Sequence, residues 1–590
     1  MVDIKTSKHE VTLTGANDIF HASLSTTQPE EGIDLVQLRI VAQQPASPPV
    51  FTLFWTHPIV DIHALWHPGA NRNKSLPPAW ARGFMSKATS QAPVGCLYSL
   101  AGRNRLTFAF SDALHLFEIK AGVHEETATL HCSITLFTEP SPPLSLYEAT
   151  LRLDTRDIPY YESLEQVQQW WASMPGYQPT IVPETARLPM YSTWYSFHQQ
   201  VVASEVEEQC RLANALGCQA VIVDDGWQTE SNARGYAYCG DWEVTREKIP
   251  DMKAHVASVH DLGMKYILWY SVPFVGKYSK VWSRFSDRLL GTIERLGAGI
   301  LDPRFPEVRE YIIDTYENAL RNWDLDGFKL DFVDSFTPSE EKKDEYIKGQ
   351  DYLSVPEAVD RLLTDTIDRL RKIKPDIMIE FRQTYIGPLM RKYGNMFRAS
   401  DCPNDSITNR VCTLDIRLLC GNTAAHSDML MWNRDEPVES AALQFVNILF
   451  AVPQISVLLN TLPAEHLEMV QFWLSFWQAK RDVLLEGKLI PLHPELSYPV
   501  VFATTQSKRI AVMYQDTVIN PGLHLPANFI LVNGTLEERI VLELDEDIGT
   551  KQLEIRNCRG QVIRTEHMNL TRGLHLIHVP AAGLATLRSS

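Results

Sequence analysis

The feature that most constrains the fold is an alternation of short apolar segments with amphipathic helices, which runs from about residue 190 to residue 490. Eight segments have the length and composition of buried strands: Met190-Trp194, Ala220-Asp224, Tyr266-Tyr270, Gly327-Phe332, Ile377-Phe381, Met396-Ser400, Ala424-Leu430 and Gln454-Leu459. Strands that alternate with helices form parallel sheets, and a parallel sheet of eight strands closes into a barrel. The pattern therefore predicts a (β/α)8 barrel over residues 190–490.

The regions on either side of the barrel have the strand pattern of β-sandwiches. Residues 1–155 and 491–590 both alternate short apolar strands with turns, and Asn533-Gly534 is a hairpin signal in the second region. Residues 156–189 are predicted to be a linker. The segment from His57 to Ser99 is too long for an ordinary hairpin loop, so it is a candidate to reach a site on the barrel from the first domain.

Composition excludes several classes of protein. With 45% apolar and 22% charged residues the chain is globular, and its formal charge of −17 disfavours nucleic acid and anionic membranes as partners. The amino terminus lacks the apolar core of a signal peptide, no apolar run could cross a bilayer, and nine cysteines without a CxxC pair indicate reduced thiols. We expect a cytoplasmic protein with a small, neutral or polar ligand, and a homo-oligomer is left open.

The segment Asp326–Phe332 (DGFKLDF) reads as a short strand that carries charges a purely structural strand would avoid. Side chains alternate along a strand, so Lys329 and Asp331 share one face, while Phe332 and the other apolar side chains share the face that would anchor the strand to helices. In a parallel barrel, chemistry occurs at the carboxyl ends of the strands. Asp331 is therefore expected to point into a site.

Polar side chains follow other strands of the predicted barrel at the same end. Strand two ends in Asp224-Asp225-Gly226-Trp227, strand six carries Arg398 and is followed by Asp401 and Asp405, and strand seven carries His426-Ser427-Asp428. Any one of these acids could be a helix cap or a salt-bridge partner. The whole set on one rim indicates a functional site.

Paired carboxylates beside Trp rings suit glycoside cleavage. One acid protonates the leaving oxygen, and the other attacks the anomeric carbon or activates water. Lys329 would hold the pKa of Asp331 down, which makes Asp331 the expected nucleophile. The acid must stay protonated near neutrality, in a drier or more negative setting, and Asp401 is the candidate with Asp405 as the alternative.

Metal and nucleotide sites are disfavoured by the motifs. His426-x-Asp428 has no second histidine at the H-E-x-x-H spacing, and no GxGxxG or P-loop opens a helix. We therefore expect neither a metal nor a cofactor.

The motifs resemble those of the α-galactosidases of glycoside hydrolase family 36, a retaining family with a (β/α)8 barrel between two β-domains. The resemblance covers about residues 190–490 and rests on Trp194, Asp224-Asp225-Gly226-Trp227, Gly240-Asp241-Trp242, the stretch Leu301–Arg309, Lys329-x-Asp331 and Ser400-Asp401. It implies that Asp331 is the nucleophile and Asp401 the acid/base. It also implies a sugar-binding set in which the acids and the lysine hold hydroxyls and the aromatic rings line the pocket: Asp224, Asp225, Lys329, Trp194, Trp227, Trp242 and Trp269.

Three segments depart from the family pattern. Glu380–Tyr385 stands where many members have Cys-Ser-Gly-Gly, Leu268–Pro273 where the family often has Trp-x-Glu-Pro-Glu, and Phe397-Arg398 in place of the aromatic pattern of Trp-x-Ser-Asp. These changes affect the expected C2 side of the sugar or the next subsite, so they concern the identity of the sugar more than the mechanism.

Two arginines in these segments have two readings. Arg382 and Arg398 either recognise a C2 substituent or an acidic group of the substrate, or they form structural ion pairs with Glu380, Asp401 or Asp405.

The expected function is a retaining exo-α-glycosidase, an α-galactosidase that removes terminal α-linked galactose from small oligosaccharides by double displacement. This mechanism would place the carboxyl groups of Asp331 and Asp401 about 5–5.5 Å apart. Two alternatives keep the mechanism: an α-glycosidase for N-acetylgalactosaminides or glucosides, and a transglycosidase of the raffinose-synthase type. Outside the class stand a metal-dependent hydrolase and a non-catalytic carbohydrate-binding protein, and the latter is disfavoured because Lys329, Asp331 and Asp401 occur together.

Overall fold

The computed structural model describes residues 1–139, 141–339 and 346–589. A closed or nearly closed parallel sheet lies between two regions of mainly antiparallel sheet. The predicted fold class, a central (β/α)8 barrel flanked by β-sandwich domains, is confirmed.

The N-terminal region is a sandwich of two antiparallel sheets, with strand orders β1-β2-β5-β11-β10-β7 and β3-β4-β12-β9-β8-β6. Its strands are β1 Val2–Lys5, β2 Glu10–Thr14, β3 Phe20–Glu30, β4 Ile33–Ala46, β5 Phe51–Pro58, β6 Ala64–Trp66, β7 Phe84–Ser86, β8 Val94–Tyr98, β9 Asn104–Phe110, β10 Phe117–His124, β11 Thr129–Leu136 and β12 Leu144–Asp154. Alternate side chains of both sheets meet in one apolar core, which includes Trp55 and Phe108 in edge-to-face contact.

The region predicted as a linker contains helix α1, Tyr160–Ala172. Trp171 of this helix is buried, and its indole N–H donates to the Phe110 carbonyl at 2.9 Å. The helix therefore packs the first sandwich against the rest of the chain.

The barrel sheet has all eight predicted strands in parallel, in the order β22-β21-β20-β19-β15-β14-β13-β23 among the described residues. The strands are β13 Met190–Ser192, β14 Ala220–Val223, β15 Lys265–Ser271, β19 Gly327–Asp331, β20 Met378–Arg382, β21 Met396–Arg398, β22 Ala424–His426 and β23 Gln454–Ile455. Parallel bridges from His426 to Val452 and from Leu430 to Ile455 close the ring. A small antiparallel sheet follows β15, and it consists of β16 Phe274–Gly276, β17 Leu289–Ile293 and β18 Ala298–Leu301.

Helices occupy the connections between these strands and the segment that follows the last of them. They are α2 Trp194–Phe197, α3 Ala203–Leu216, α4 Met252–Asp261, α5 Trp282–Phe285, α6 Pro306–Trp323, α7 Val355–Ile373, α8 Met390–Tyr393, α9 Ser406–Leu419, α10 Val438–Asn447, α11 Ala464–Ala479 and α12 Arg481–Leu484. Helix α3 ends at Gly217, whose φ of 108° suits a residue without a Cβ. The helix begins at Ala203 and has no side-chain cap at this end.

The C-terminal region has a seven-stranded sheet, β24-β25-β26-β28-β33-β30-β31, and a three-stranded sheet, β27-β29-β32, among the described residues. The strands are β24 Lys488–Leu492, β25 Val500–Thr504, β26 Lys508–Met513, β27 Val518–Ile519, β28 Asn528–Asn533, β29 Ile540–Leu544, β30 Gly549–Arg556, β31 Val562–Leu570, β32 Gly573–Ile577 and β33 Leu584–Ser589. The hairpin predicted at Asn533-Gly534 is wrong, because β28 and β29 lie in different sheets. The side-chain amide of Asn533 instead donates hydrogen bonds to the carbonyls of Val579 and Pro580.

All nine cysteines are unpaired and buried. No helix in the described ranges is both long enough and apolar enough to span a bilayer.

Candidate active site

Asp331 lies at the carboxyl end of β19 and is the most heavily bonded carboxylate of the rim. Its Oδ1 accepts hydrogen bonds from the Tyr385 hydroxyl at 2.6 Å, the Arg382 Nε at 2.8 Å and the Phe332 amide at 2.8 Å. Its Oδ2 accepts one from the Trp269 indole at 3.2 Å. The side chain is 9% exposed, so it is held in one orientation with a small open surface.

The charge of Asp331 is set by two opposing effects. Burial favours the neutral acid, but the nearby charges of Arg382 and Lys329 outweigh it and hold the pKa of Asp331 well below its usual range. The prediction that Lys329 lowers this pKa is correct in direction, yet Arg382 has the larger effect. Asp331 is therefore ionised throughout the neutral range.

In the segment Asp326–Phe332 the strand ends at Asp331, one residue before the predicted end. Phe332 has a left-handed backbone, with φ of 64°, and does not face the helices as predicted. Its ring contacts Tyr236 and Phe274 above the strand, and the Arg382 guanidinium lies 5.2 Å from its centre. Phe332 thus forms part of the wall around Asp331.

Lys329 is buried in the barrel and bonds to the first of the tandem acids. Its Nζ lies 2.6 Å from Asp224 Oδ2, and both side chains are 4% exposed. Burial disfavours the ammonium ion, but the Asp224 carboxylate outweighs burial and raises the pKa of Lys329. The pair places one charged oxygen and one ammonium group beside the nucleophile candidate.

Asp225 is also buried, but its carboxylate is held by amides rather than by a cation. Gln228 donates to one oxygen at 2.7 Å and Gln199 to the other at 3.0 Å. Burial raises the pKa of Asp225 to about 6. At neutral pH the ionised Asp225 therefore lowers the free energy of unfolding.

We expect Asp225→Asn to raise the free energy of unfolding at pH 7 by about 1–3 kcal/mol. The carboxyl group has a pKa of about 6 in the folded protein against 3.8 as its ordinary value, so the folded state binds more protons between these two pH values. The stability of the unaltered protein consequently falls as pH rises through this window. Urea unfolding at about pH 4 and pH 7 measures the effect, and the same difference between the two proteins at both pH values would contradict it.

Asp401 follows β21 and forms an ion pair with Arg398. Arg398 Nη2 donates to Asp401 Oδ1 at 2.9 Å, while Nη1 donates to Asp428 Oδ1. The Tyr195 hydroxyl donates to the other oxygen of Asp428 at 2.8 Å. Asp401 itself is 47% exposed and stands at the mouth of the barrel.

The setting of Asp401 differs from the dry or negative one expected of an acid. Burial raises its pKa, but the charges of Arg398, Lys329 and Arg382 together outweigh burial and lower it. The Asp331 carboxylate is close enough to oppose them. Asp401 is thus ionised at neutral pH in the free protein.

Asp405, the alternative acid and sugar-binding candidate, caps a helix. It is the N-cap of α9, and its carboxylate accepts from the Thr408 amide at 3.0 Å and the Thr408 hydroxyl at 2.6 Å. The side chain is exposed. These contacts are those of a helix cap, because a helix N-terminus binds a carboxylate through its free amides, and the role of Asp405 as the acid stays a prediction.

The four predicted tryptophans lie in different surroundings. Trp269 is buried against Asp331, and Trp194, half-buried, begins α2 beside His198. Trp227 is completely buried and donates to the Trp269 carbonyl at 3.0 Å, so it cannot line a sugar pocket as predicted. Trp242 packs on Trp227 and Trp269 and lines a groove with Tyr270, Tyr311 and Trp323, so its place in the sugar pocket stays a prediction.

The two arginines in the unusual segments form ion pairs, and only Arg398 has partners that were expected. Arg382 pairs with Asp331, which was not predicted. Arg398 is buried and pairs with Asp401 as predicted, and also with Asp428, while its Nε lies 3.5 Å from Glu380. The ion-pair reading of Arg398 is thus the one that its contacts favour.

Sequence reasoning missed several groups that hold the site together. Tyr385 donates to Asp331, Tyr195 and Asp428 complete the Arg398 cluster, and Gln199 holds Asp225. Tyr385 lies in the unusual segment Glu380–Tyr385, but no role was predicted for it. Asp428 was predicted to lie on the functional rim, but its pairing with Arg398 was not predicted.

Among the described residues no group of three or more His, Cys, Asp or Glu side chains is arranged to hold a metal ion. His426, the histidine of strand seven, bonds through Nε2 to the Ala186 carbonyl at 2.8 Å.

Comparison with known proteins shows similarity to α-galactosidases in part of the sequence. The Melibiase family model matches residues 185–382, which is the chain from just before β13 to the end of β20. Alpha-galactosidase 2 of Pediococcus pentosaceus is 27% identical over 158 residues, and alpha-galactosidase AgaA of Geobacillus stearothermophilus is 26% identical over 166 residues. Each alignment covers 26% of this chain and 22% of the relative.

Solved structures extend the similarity beyond the aligned segment. The crystal structure of the GH36 α-galactosidase AgaA matches with a TM-score of 0.64 and 15% identity, over 99% of this chain and 83% of that chain. The α-galactosidase of Lactobacillus brevis matches with a TM-score of 0.64 over 99% and 82% of the two chains, with 15% identity. A variant of AgaA was crystallised in complex with raffinose. This chain is thus similar to the GH36 α-galactosidases, in sequence through the first five strands of the barrel and in fold along almost its whole length.

Proposed function

We propose that this protein is a retaining exo-α-glycosidase, an α-galactosidase that removes terminal galactose from small oligosaccharides. The observation that carries the proposal is the setting of Asp331. A carboxylate at the carboxyl end of a barrel strand is kept ionised by a cation and oriented by three side chains, with a second carboxylate at the mouth. A purely structural acid needs neither a second acid nor an open surface. The similarity to α-galactosidases supports the same reading.

In the first step Asp331 attacks the anomeric carbon from the face opposite the leaving sugar. The glycosidic bond breaks, its oxygen takes a proton from Asp401, and a glycosyl ester forms on Asp331. In the second step Asp401 takes a proton from water, the water oxygen attacks the same carbon, and the ester bond breaks. The released sugar keeps its anomeric configuration, and the two carboxyl groups must lie about 5–5.5 Å apart.

Arg382 and Tyr385 act on the nucleophile in both steps. They orient the carboxylate before attack, which reduces the cost of reaching the reactive geometry. In the second step Asp331 leaves as an anion, and the same two hydrogen bonds stabilise the charge that returns to Oδ1. Breakdown of the ester is therefore favoured by groups that do not touch the leaving sugar.

Asp401 must acquire a proton to act as the acid. A substrate that fills the mouth removes water from this half-exposed carboxylate, and loss of water raises the pKa of an acid. Forming the ester on Asp331 does not change the Arg398 pair, so Asp401 returns to the ionised form that the second step requires.

The sugar hydroxyls are assigned to the groups beneath the nucleophile. Asp224 and Lys329 present an acceptor and a donor deep in the barrel, and Asp225 lies next to Asp224. Trp269 supplies buried indole surface beside Lys329 and Asp331, and Trp194 is a half-buried ring that would line the pocket. A buried, paired set of this kind selects a ligand rich in hydroxyl groups, because an apolar ligand would leave the charged groups unsatisfied.

A second candidate sugar is N-acetylgalactosamine, and the geometry of Arg382 favours it. The bonds to Asp331 use Nε, and no hydrogen bond to Nη1 or Nη2 is present within the described part of the chain. The guanidinium is 21% exposed, so its outer edge can donate to a substituent at C2. An acetamido carbonyl is a stronger acceptor than a hydroxyl for such a donor.

Aryl α-glycosides of galactose, N-acetylgalactosamine and glucose test these assignments. We expect hydrolysis of the galactoside with kcat/KM at least about tenfold above the glucoside, which is roughly 1.4 kcal/mol of discrimination. A preference for the N-acetylgalactosaminide would assign the second sugar. Absence of turnover on all three, or activity abolished by a chelator, would contradict the proposal.

Two further properties are proposed with this function. The nine unpaired cysteines support a cytoplasmic location, because thiols persist in a reducing compartment. The reaction type is tested by product analysis with water alone and with an added galactoside acceptor, since only a transglycosidase would transfer the sugar mainly to the acceptor. Light scattering during size-exclusion chromatography decides whether a homo-oligomer forms.

A further inference from the structure

We infer that a turn of the N-terminal sandwich, residues 87–91, positions the nucleophile from outside the barrel, an inference that rests on the proposed function. This positioning turn, Lys87–Gln91, follows β7 and lies within the long segment between β5 and β8. It contacts two loops of the barrel rim, the one that follows Asp331 and the one that carries Tyr385. Both loops hold the reactive carboxylate in place.

Lys87 binds the loop after the nucleophile strand. Its ammonium group lies 3.0 Å from the Asp334 carbonyl, 3.2 Å from the Phe336 carbonyl and 2.9 Å from the Thr337 hydroxyl. An ammonium group has three N–H donors, so these contacts satisfy it completely. The loop that begins one residue after Asp331 is consequently fixed to a different domain at three points.

Gln91 binds the second loop through its backbone. Its amide donates to the Thr384 carbonyl at 2.7 Å, and its φ of 60° shows that the turn adopts a left-handed conformation to reach it. Gly387 packs on the same turn: a Cβ at this position would lie 3.0 Å from the Gln91 carbonyl and 3.1 Å from the Ala88 carbonyl. The fit leaves no space for a side chain on this face of the rim.

The two loops meet at Asp331. Tyr385 stands one residue after Thr384 and donates to Asp331, and Arg382 stands two residues before Thr384 and donates to the same oxygen. The positioning turn therefore fixes the donors and the acceptor relative to each other. Small displacements of such groups have large effects on rate, because orientation supplies much of the rate enhancement.

A merely structural role predicts a different result from a positioning role. If the positioning turn only joined two domains, losing Lys87 would lower stability and leave the chemistry intact. If it positions Asp331, loss of Lys87 would also free the loop after Asp331, so that the carboxylate would move relative to Arg382 and Tyr385 and become easier to protonate. The acid limb of the kcat/KM profile would then shift to higher pH.

The experiment compares Lys87→Met and Lys87→Arg with the unaltered protein on an aryl α-galactoside across pH. We expect Lys87→Met to lower kcat by about tenfold with KM within about threefold, and to shift the acid limb upward by about 0.5–1 pH unit. Lys87→Arg keeps the charge and should recover most of the rate. Gly387→Ala, which displaces the positioning turn by a few tenths of an ångström, should act in the same direction but more weakly.

Lys74→Met is the matched control for loss of an interdomain lysine. Lys74 pairs with Asp415 at 2.8 Å, with both side chains completely buried, and it touches neither of the two loops. We expect it to lower the unfolding temperature without moving the acid limb. An unchanged kcat and pH profile in Lys87→Met would overturn the inference.

Backbone hydrogen exchange separates this inference from the proposed function. In Lys87→Met the amides of Ser335 and Thr337 should exchange at least about tenfold faster than in the unaltered protein, because the loop after Asp331 loses its contacts with Lys87. If no α-glycoside is hydrolysed, the proposed function fails, while faster exchange would still establish the coupling between turn and loop. Unchanged exchange would overturn the inference whatever the activity.

Discussion

Asp331→Ala should lower kcat on an aryl α-galactoside by at least about 10⁴-fold, because covalent catalysis by this carboxylate has no substitute in the site. Trp269, Arg382 and Tyr385 would still surround the position, but they are donors and cannot attack an anomeric carbon. Activity within tenfold of the unaltered protein would end the assignment of Asp331.

Adding azide to Asp331→Ala tests whether Asp331 is the nucleophile. A small anion can occupy the space left by the carboxylate and attack the same carbon, which would restore turnover and give a β-configured glycosyl azide. Unaltered unfolding temperature and retained binding of galactose would show that the variant is folded. Recovery of an α-configured azide would instead indicate that Asp331 is not the nucleophile.

Asp401→Asn should lower kcat/KM by about 10²–10⁴-fold for an oligosaccharide and far less for an aryl glycoside with a strongly acidic leaving group. A sugar needs a proton when it leaves, whereas such a phenol does not. Because the charges of Arg398, Lys329 and Arg382 outweigh burial and lower the pKa of Asp401, the acid form is scarce at neutral pH in the free protein. Activity of the unaltered protein on oligosaccharides should therefore rise as pH falls below 7, and this rise should vanish in the variant.

Asp405→Asn is the matched control for this second prediction. The change keeps a capping side chain at the N-terminus of α9, so stability should change by less than about 1 kcal/mol. Its leaving-group dependence should equal that of the unaltered protein. If Asp405→Asn and not Asp401→Asn showed the selective loss on oligosaccharides, the acid would be Asp405.

Much of the barrel could be predicted because its signals are local. Periodic apolar residues and β–α alternation identified all eight strands, and the order of the chain then fixed the sheet. Strand ends were less predictable, since Phe332 leaves the strand to pack on Tyr236 and Phe274. The Asn533-Gly534 hairpin failed because the following segment pairs with another sheet, which no local signal reveals.

The sequence predicted the acids of the candidate site, but not the side chains that bond to them. Asp224, Asp331 and Asp401 follow or end strands, so their position on one rim follows from the barrel itself. The sequence assigned Lys329 to Asp331, but Lys329 bonds to Asp224 and Arg382 bonds to Asp331. Trp227 has the same motif context as Trp242, yet it is completely buried.

By itself the sequence determined the class of fold, the order of the strands and the identity of the carboxylates at their ends, because these depend on periodicity along the chain. The tertiary structure alone decided which charges meet, since pairing between strands depends on the stagger of the barrel and on side-chain orientation. Those pairings keep Asp331 ionised and hold Asp401 at the mouth. They also bring a turn from residues 87–91 to the loop that follows Asp331, more than 200 residues later in the chain.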